Sequence, residues 1–171
     1  MEKIKVLDFC DKNKIPYILI KKTIQKGRKH VEGILPKWND KSYDYLMEHY
    51  NNKRLKMVSY NTIMINVRAG GYVVADCDDE HVKKYFYEKY GKAWKTKSCS
   101  KNLPHIWFKR HNNDNNGTKV NISKGIDLVY EFVFERIDMK FLNTKEDMKT
   151  FQDFQEVVEE TKKKPIKRKK N

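Results

Sequence analysis

Cysteine is scarce in this 171-residue chain: Cys10, Cys77 and Cys99 are an odd number with no close pairing. That fits a reducing intracellular compartment and excludes a disulfide framework. No C-x-x-C occurs, so the usual structural zinc patterns are absent too. No apolar run approaches the roughly 18–20 residues that a membrane span needs. The opening MEKIKVLDFCDKNK is interrupted by charge throughout, unlike a signal peptide. A soluble intracellular protein is therefore expected. There is no internal repeat and no G-x-x-x-x-G-K-[ST], so this piece carries no P-loop.

What is present is charge and aromatic area. The chain holds 37 Lys and Arg against 23 Asp and Glu, a net charge of +14. Such an excess favours polyanionic partners, because each phosphate contact by Lys or Arg releases condensed counterions. The bland reading is good solubility or generic adhesion to RNA. Seven of the cations lie in the last eleven residues, Thr161–Asn171, which contain no acid. That segment carries half the net charge and reads as a solvated arm or linker. With 39% hydrophobic residues, eight Phe, ten Tyr and three Trp, the remainder has enough apolar surface for one domain.

Along the chain, Ile4, Leu7 and Val6 or Phe9 space a short helix over 2–13. A strand follows at Tyr17–Ile20, then a basic loop over 25–37 loosened by Gly27 and Gly33. Tyr43, Leu46, Met47 and Tyr50 predict a helix from Ser42, capped by Asp40 or Ser42. Thr62–Val67 and Tyr72–Asp78 are strands, and Arg68-Ala69-Gly70-Gly71 between them predicts a hairpin bend. Asp79 caps a helix over roughly 80–90 that Gly91 ends. Strands follow at Pro104–Arg110, Lys119–Ile122 and Ile126–Phe134, with a turn at Asn116-Gly117. Met148, Phe151, Phe154 and Val158 predict a last amphipathic helix over 144–160. Hairpins interleaved with helices mean an α+β fold with mixed or antiparallel sheets and flanking helices.

Asp76 and Asp78 stand two apart on a strand, so their side chains leave the same face. Two acids so placed repel unless a cation lies between them, and a hard ion such as Mg²⁺ or Mn²⁺ suits carboxylate oxygens. The plain alternative is that Asp78-Asp79 caps the next helix while Asp76 is solvated. Asp127, in Gly125-Ile126-Asp127-Leu128-Val129, is an acid in an apolar strand, costly unless paired, though an edge Asp facing water reads the same way. His105 lies between these acids in Leu103-Pro104-His105-Ile106-Trp107-Phe108. A lone strand histidine is more often hydrogen-bonded structure than chemistry.

Taken in order, the apolar strand with D-x-D, the strand histidine and the apolar-flanked Asp resemble the three motifs of the archaeo-eukaryotic primase superfamily, the primase–polymerases. The resemblance spans about residues 30–135. It includes Lys37-Trp38 upstream and the run Asn66–Asp78 with its glycine bend. Within the superfamily the chain looks most like the primase domains of giant-virus and poxvirus-type primase–helicases. The resemblance implies a catalytic core built from an RRM-like palm and an N-terminal α/β unit over 1–143, with the 144–160 helix packed on it. It implies that Asp76, Asp78 and Asp127 are catalytic and hold two divalent ions, and that His105 contacts the phosphates of the incoming nucleotide. Lys101 matches a basic triphosphate contact. The family usually has Ser two residues before the histidine, where this chain has Leu103.

Lys109, Arg110 and Arg68 are further basic candidates for the nucleotide or template, each equally readable as a solvated charge. Trp38, Tyr60 and Trp94 could stack on bases, whereas Trp107 on its strand is expected to pack. The implied function is template-directed nucleotidyl transfer, as primer synthesis or extension. Expected partners are single-stranded DNA template and primer, nucleoside triphosphates, and a helicase domain on the same longer chain, at a viral replication site. The rivals are a metal-dependent nuclease, which also needs clustered acids, and a non-catalytic single-stranded nucleic-acid-binding module.

Overall fold

Tyr17-Ile18-Leu19-Ile20 are fully buried on both faces of their strand, and this sets the layering of the molecule. The structure, a computed structural model, describes residues 3–77, 92–97, 104–110, 119–123 and 126–151. The expected 80–90 helix, the Asn116-Gly117 turn, Asp78, Lys101 and the basic tail lie outside the described residues.

After α1 (Val6–Lys12), β1 (Tyr17–Gln25) and β2 (Arg28–Glu32) form an antiparallel hairpin. The basic stretch expected as a loop over 25–37 is thus in part strand: Lys26-Gly27 makes the bend, both at positive φ, and β2 pairs back from Arg28. The helical segment over 43–55 is α2 (Tyr43–Leu46), a π-turn (Met47–Asn51) and α3 (Asn52–Leu55). Ser42 caps it, its side chain accepting from Tyr45 N at 3.1 Å. Then come β3 (Thr62–Asn66), α4 (Val67–Gly70), β4 (Tyr72–Cys77), β5 (Lys95–Lys97), β6 (Pro104–Arg110), β7 (Lys119–Ser123), β8 (Ile126–Val129), β9 (Phe132–Arg136) and β10 (Thr150–Phe151).

The strands make two sheets in a mixed α+β arrangement. One has the order β2-β1-β3-β9, the other β10-β6-β4-β8-β7 with β5 also on β6. All the pairings are antiparallel except β10 with β6. Alternation sorts the side chains. Tyr17, Leu19, Ile63, Ile65 and Val133 of the first sheet share one core with Val74 and Trp107 of the second, closed by Val6 and Cys10 of α1 and by Phe141. Ile18 and Ile20 point the other way, onto Trp38 and Leu46. The far face of the second sheet carries Val73, Ala75, Cys77, Ile106, Phe108 and Leu128, all buried.

Three expectations are corrected. β3 and β4 are not a hairpin: they belong to different sheets. Asn66 caps a single helical turn, accepting from Ala69 N at 3.0 Å, and Gly71 ends it at φ +83°. That turn redirects the chain from one layer to the other. The run 126–134 is likewise split at Tyr130-Glu131, so β8 and β9 lie in opposite sheets. The third is the helix from Thr144: residues 144–149 are not helical, and Thr150–Phe151 pair with β6. On a helix Met148 and Phe151 would share a face. Here Met148 joins the inter-sheet core while Phe151 stacks edge-on to Phe108 on the far face, their ring centroids 5.2 Å apart.

The described helices are short, and none is long and apolar enough to cross a membrane.

Candidate active site

β4 is flanked by β6 on one side and β8 on the other, and its register decides what stands beside Asp76. His105 is opposite it on β6 and Asp127 is opposite it on β8. Directly opposed residues point to the same face with Cβ atoms roughly 4.5–5.5 Å apart. Three residues separated by up to 51 positions in sequence therefore form one transverse row, extended on β5 by Thr96 opposite His105. The row lies on the inner face, two residues beyond Val74 and Trp107.

From the facing sheet Glu135 reaches the same place. It follows Val133 at strand spacing and is opposite Ile63, so it enters the inter-sheet layer fully buried. Its Oε1 accepts from Thr96 Oγ1 at 2.6 Å and lies 2.9 Å from His105 Nδ1. His105 Nε2 in turn lies 3.4 Å from Asp76 Oδ1. Exposure rises along this line: the side chain of Glu135 is 0% accessible, that of His105 8% and that of Asp76 30%. The row opens to solvent at Asp76, while Asp127 is buried beside it.

Burial acts to lower the pKa of His105, since it disfavours the imidazolium. Hydrogen bonding and charge from Asp76 and Glu135 outweigh it and raise the pKa from 6.5 to about 10. At neutral pH both ring nitrogens therefore carry protons and donate, Nδ1 to Glu135 and Nε2 toward Asp76.

Asp76 and Asp127 form a like-charge pair directly opposite one another, an arrangement that destabilises a sheet by itself. Both offer the oxygen donors that hard divalent cations take. Among the described residues no group of three or more His, Cys, Asp or Glu side chains is spaced to hold a metal ion. Asp78, expected as a third donor, is outside the described residues, as is Lys101.

The other basic candidates are not brought to the row. Lys109 is four residues along β6 from His105, roughly 13 Å at about 3.3 Å per residue. It is opposite Tyr72 and lines a cavity of about 400 Å³ with Phe9, Tyr72 and Trp94. Arg68 lies on α4, beyond the same far end of β4. Arg110 covers the ring of Tyr130 at 5.4 Å. Trp107 is fully buried, as expected, and Trp38 packs on Phe132. Tyr60 lies under the Arg54 guanidinium, and Trp94 Nε1 donates to Glu146 O at 2.7 Å.

Two members of the site were missed from sequence, Glu135 and Thr96. For Glu135 a signal existed: in Phe132-Val133-Phe134-Glu135 the acid falls in phase with Val133, on an inward position of a strand. Thr96 in Lys-Thr-Lys gives no such signal. No family model matches this chain, and no curated protein matches it in sequence.

Proposed function

We propose that this chain is a primase–polymerase catalytic domain that joins nucleotides on a single-stranded DNA template. The observation that carries the reading is the row itself: Asp76, Asp127 and His105, singled out by order and spacing, are immediate neighbours across three strands. The opposed carboxylates fit a divalent-cation site by donor type and by the repulsion that a cation would relieve. Asp76 and Asp127 would hold Mg²⁺ or Mn²⁺, with Asp78 as the further donor from the same strand, in a core of RRM-like palm type. When bound, two such ions neutralise triphosphate charge and lower the pKa of the attacking 3′-hydroxyl.

The chain's own residues supply position. His105 presents a protonated Nε2 next to Asp76, at the solvent-facing end of the row. With the Asp76 carboxylate turned to the cation, that N–H would donate instead to an oxygen of the triphosphate, a charge-assisted bond. The remaining ring nitrogen is occupied by Glu135 and takes no part in binding. Trp107 and Val74 seal the row from behind, so the nucleotide approaches from the Asp76 side. On this reading the partners are template, primer and nucleoside triphosphates, with a helicase domain on a longer polypeptide, at a viral replication site.

Extension of a labelled primer with Mn²⁺ or Mg²⁺ and deoxynucleoside triphosphates tests it. Asp76→Asn should lower synthesis at least about a hundredfold, since metal-borne stabilisation is worth several kcal/mol. Affinity for single-stranded DNA should stay the same or rise slightly. Primer shortening without triphosphates would instead identify a nuclease. Binding with no metal-dependent chemistry in the unmodified protein would identify a non-catalytic module.

A further inference from the structure

Glu135 is difficult to explain as packing. Its neighbours on the inner face, Ile63 across the strand pair and Val133 two residues back, are both apolar and buried. A carboxylate there carries a desolvation cost that an all-apolar layer, with the histidine replaced as well, would avoid. One oxygen alone accounts for its contacts. Oε1 takes both the Thr96 hydroxyl and the His105 ring, while Oε2 is buried with no hydrogen-bond partner among the described residues. Thr96 and His105 are opposed residues of β5 and β6, so that single oxygen clamps two strands of the facing sheet at the row.

An imidazole can rotate about its Cβ–Cγ bond and exchange the positions of Nδ1 and Cδ2. Only the partner on one nitrogen decides where the other points. We infer that Glu135 is a positioning residue: by holding His105 Nδ1 from the opposite sheet, it aims Nε2 at the Asp76 end of the row, where the triphosphate binds. The nucleotidyl-transfer reading enters only through what His105 touches; the clamp itself is independent of it. Thr96 supports the clamp by donating to the same oxygen, fixing its lone pairs toward β5 and β6.

The test uses the full chain and three variants. Glu135→Gln keeps an acceptor for Nδ1, Glu135→Ala removes it, and Glu135→Met fills similar volume without an acceptor, replacing the Ala variant if that one does not fold. In metal-free protein, the His105 Nδ1 proton should give a slowly exchanging downfield resonance. It should be present in the unmodified protein and Glu135→Gln, and absent in Glu135→Ala or Glu135→Met. In primer extension with Mn²⁺, loss of the acceptor should raise the nucleotide KM by roughly 10–100-fold, the range expected for losing one hydrogen bond made by a charged group. Template affinity should stay within about twofold and Glu135→Gln within about threefold of the unmodified KM. The inference is overturned if the resonance survives loss of the acceptor, if KM does not move, if template affinity falls in parallel, or if Gln fails to rescue. An unmodified protein with no synthesis would sink the polymerase reading alone, because the resonance still decides whether Glu135 holds the ring.

Discussion

Raising the pH in the absence of divalent ions should loosen the two sheets at His105, and the size of the effect follows from its surroundings. The groups that face it are Asp76 from β4, Glu135 from β9 and the neutral Thr96 from β5. Its pKa rises from 6.5 to about 10 on folding. Folded protein therefore holds this proton more tightly than unfolded chain. The stabilisation is complete below 6.5 and is lost as pH climbs toward 10. At about 1.4 kcal/mol per pH unit the full amount is roughly 5 kcal/mol. Cys10 has its thiol pKa raised by burial, but this adds pH dependence only above its unperturbed 9.0. The interval from about pH 6.5 to 8.5 thus isolates the histidine. Urea unfolding with a chelator should be run across it on the unmodified protein and on His105→Gln. Contributions from groups common to both proteins cancel in the difference. That difference should shrink by roughly 2 kcal/mol over the interval. A difference that stays flat, or grows with pH, refutes the argument that the two carboxylates hold His105 protonated.

Three further outcomes can be checked with the same protein. Mn²⁺ should raise the thermal midpoint of the unmodified chain by mass action and leave that of Asp76→Asn unchanged; equal shifts in both would count against a site on the row. Asn51→Ala should cost about 2–4 kcal/mol in urea unfolding, because Asn51 Oδ1 accepts from Leu19 N and its Nδ2 donates to Tyr17 O, at 3.1 and 2.8 Å, and both backbone groups would be stranded in the interior. Gly70→Ala should cost about 1–3 kcal/mol by overpacking, since a Cβ there would lie 2.8 Å from Ile15 Cγ2 and 3.1 Å from the Tyr72 ring; an unchanged midpoint would show that Ile15 can yield.

The sequence alone determined the local elements whose signals are local. The apolar spacing before Pro16 marks α1, the unbroken Tyr17–Ile20 marks a strand, and Ser42 with Tyr43, Leu46 and Met47 marks a capped helix. Apolar runs rich in β-branched and aromatic residues placed Asp76, His105 and Asp127 on strands, and their order and spacing were enough to name them together. What the sequence could not decide was which layer each strand joins. Asn66–Gly71 has the composition of a hairpin bend, yet a side-chain cap turns it into one helical turn and a change of sheet. Tyr130-Glu131 interrupts a run that reads as continuous strand. Those choices depend on which faces find partners across the molecule, and no local pattern encodes that. The same holds for the site. Register made neighbours of three residues, but Glu135 belongs to it only because the first sheet packs its inner face on the second and carries the carboxylate to His105. A buried charge shows its purpose only when the group that compensates it comes from the far side of the core.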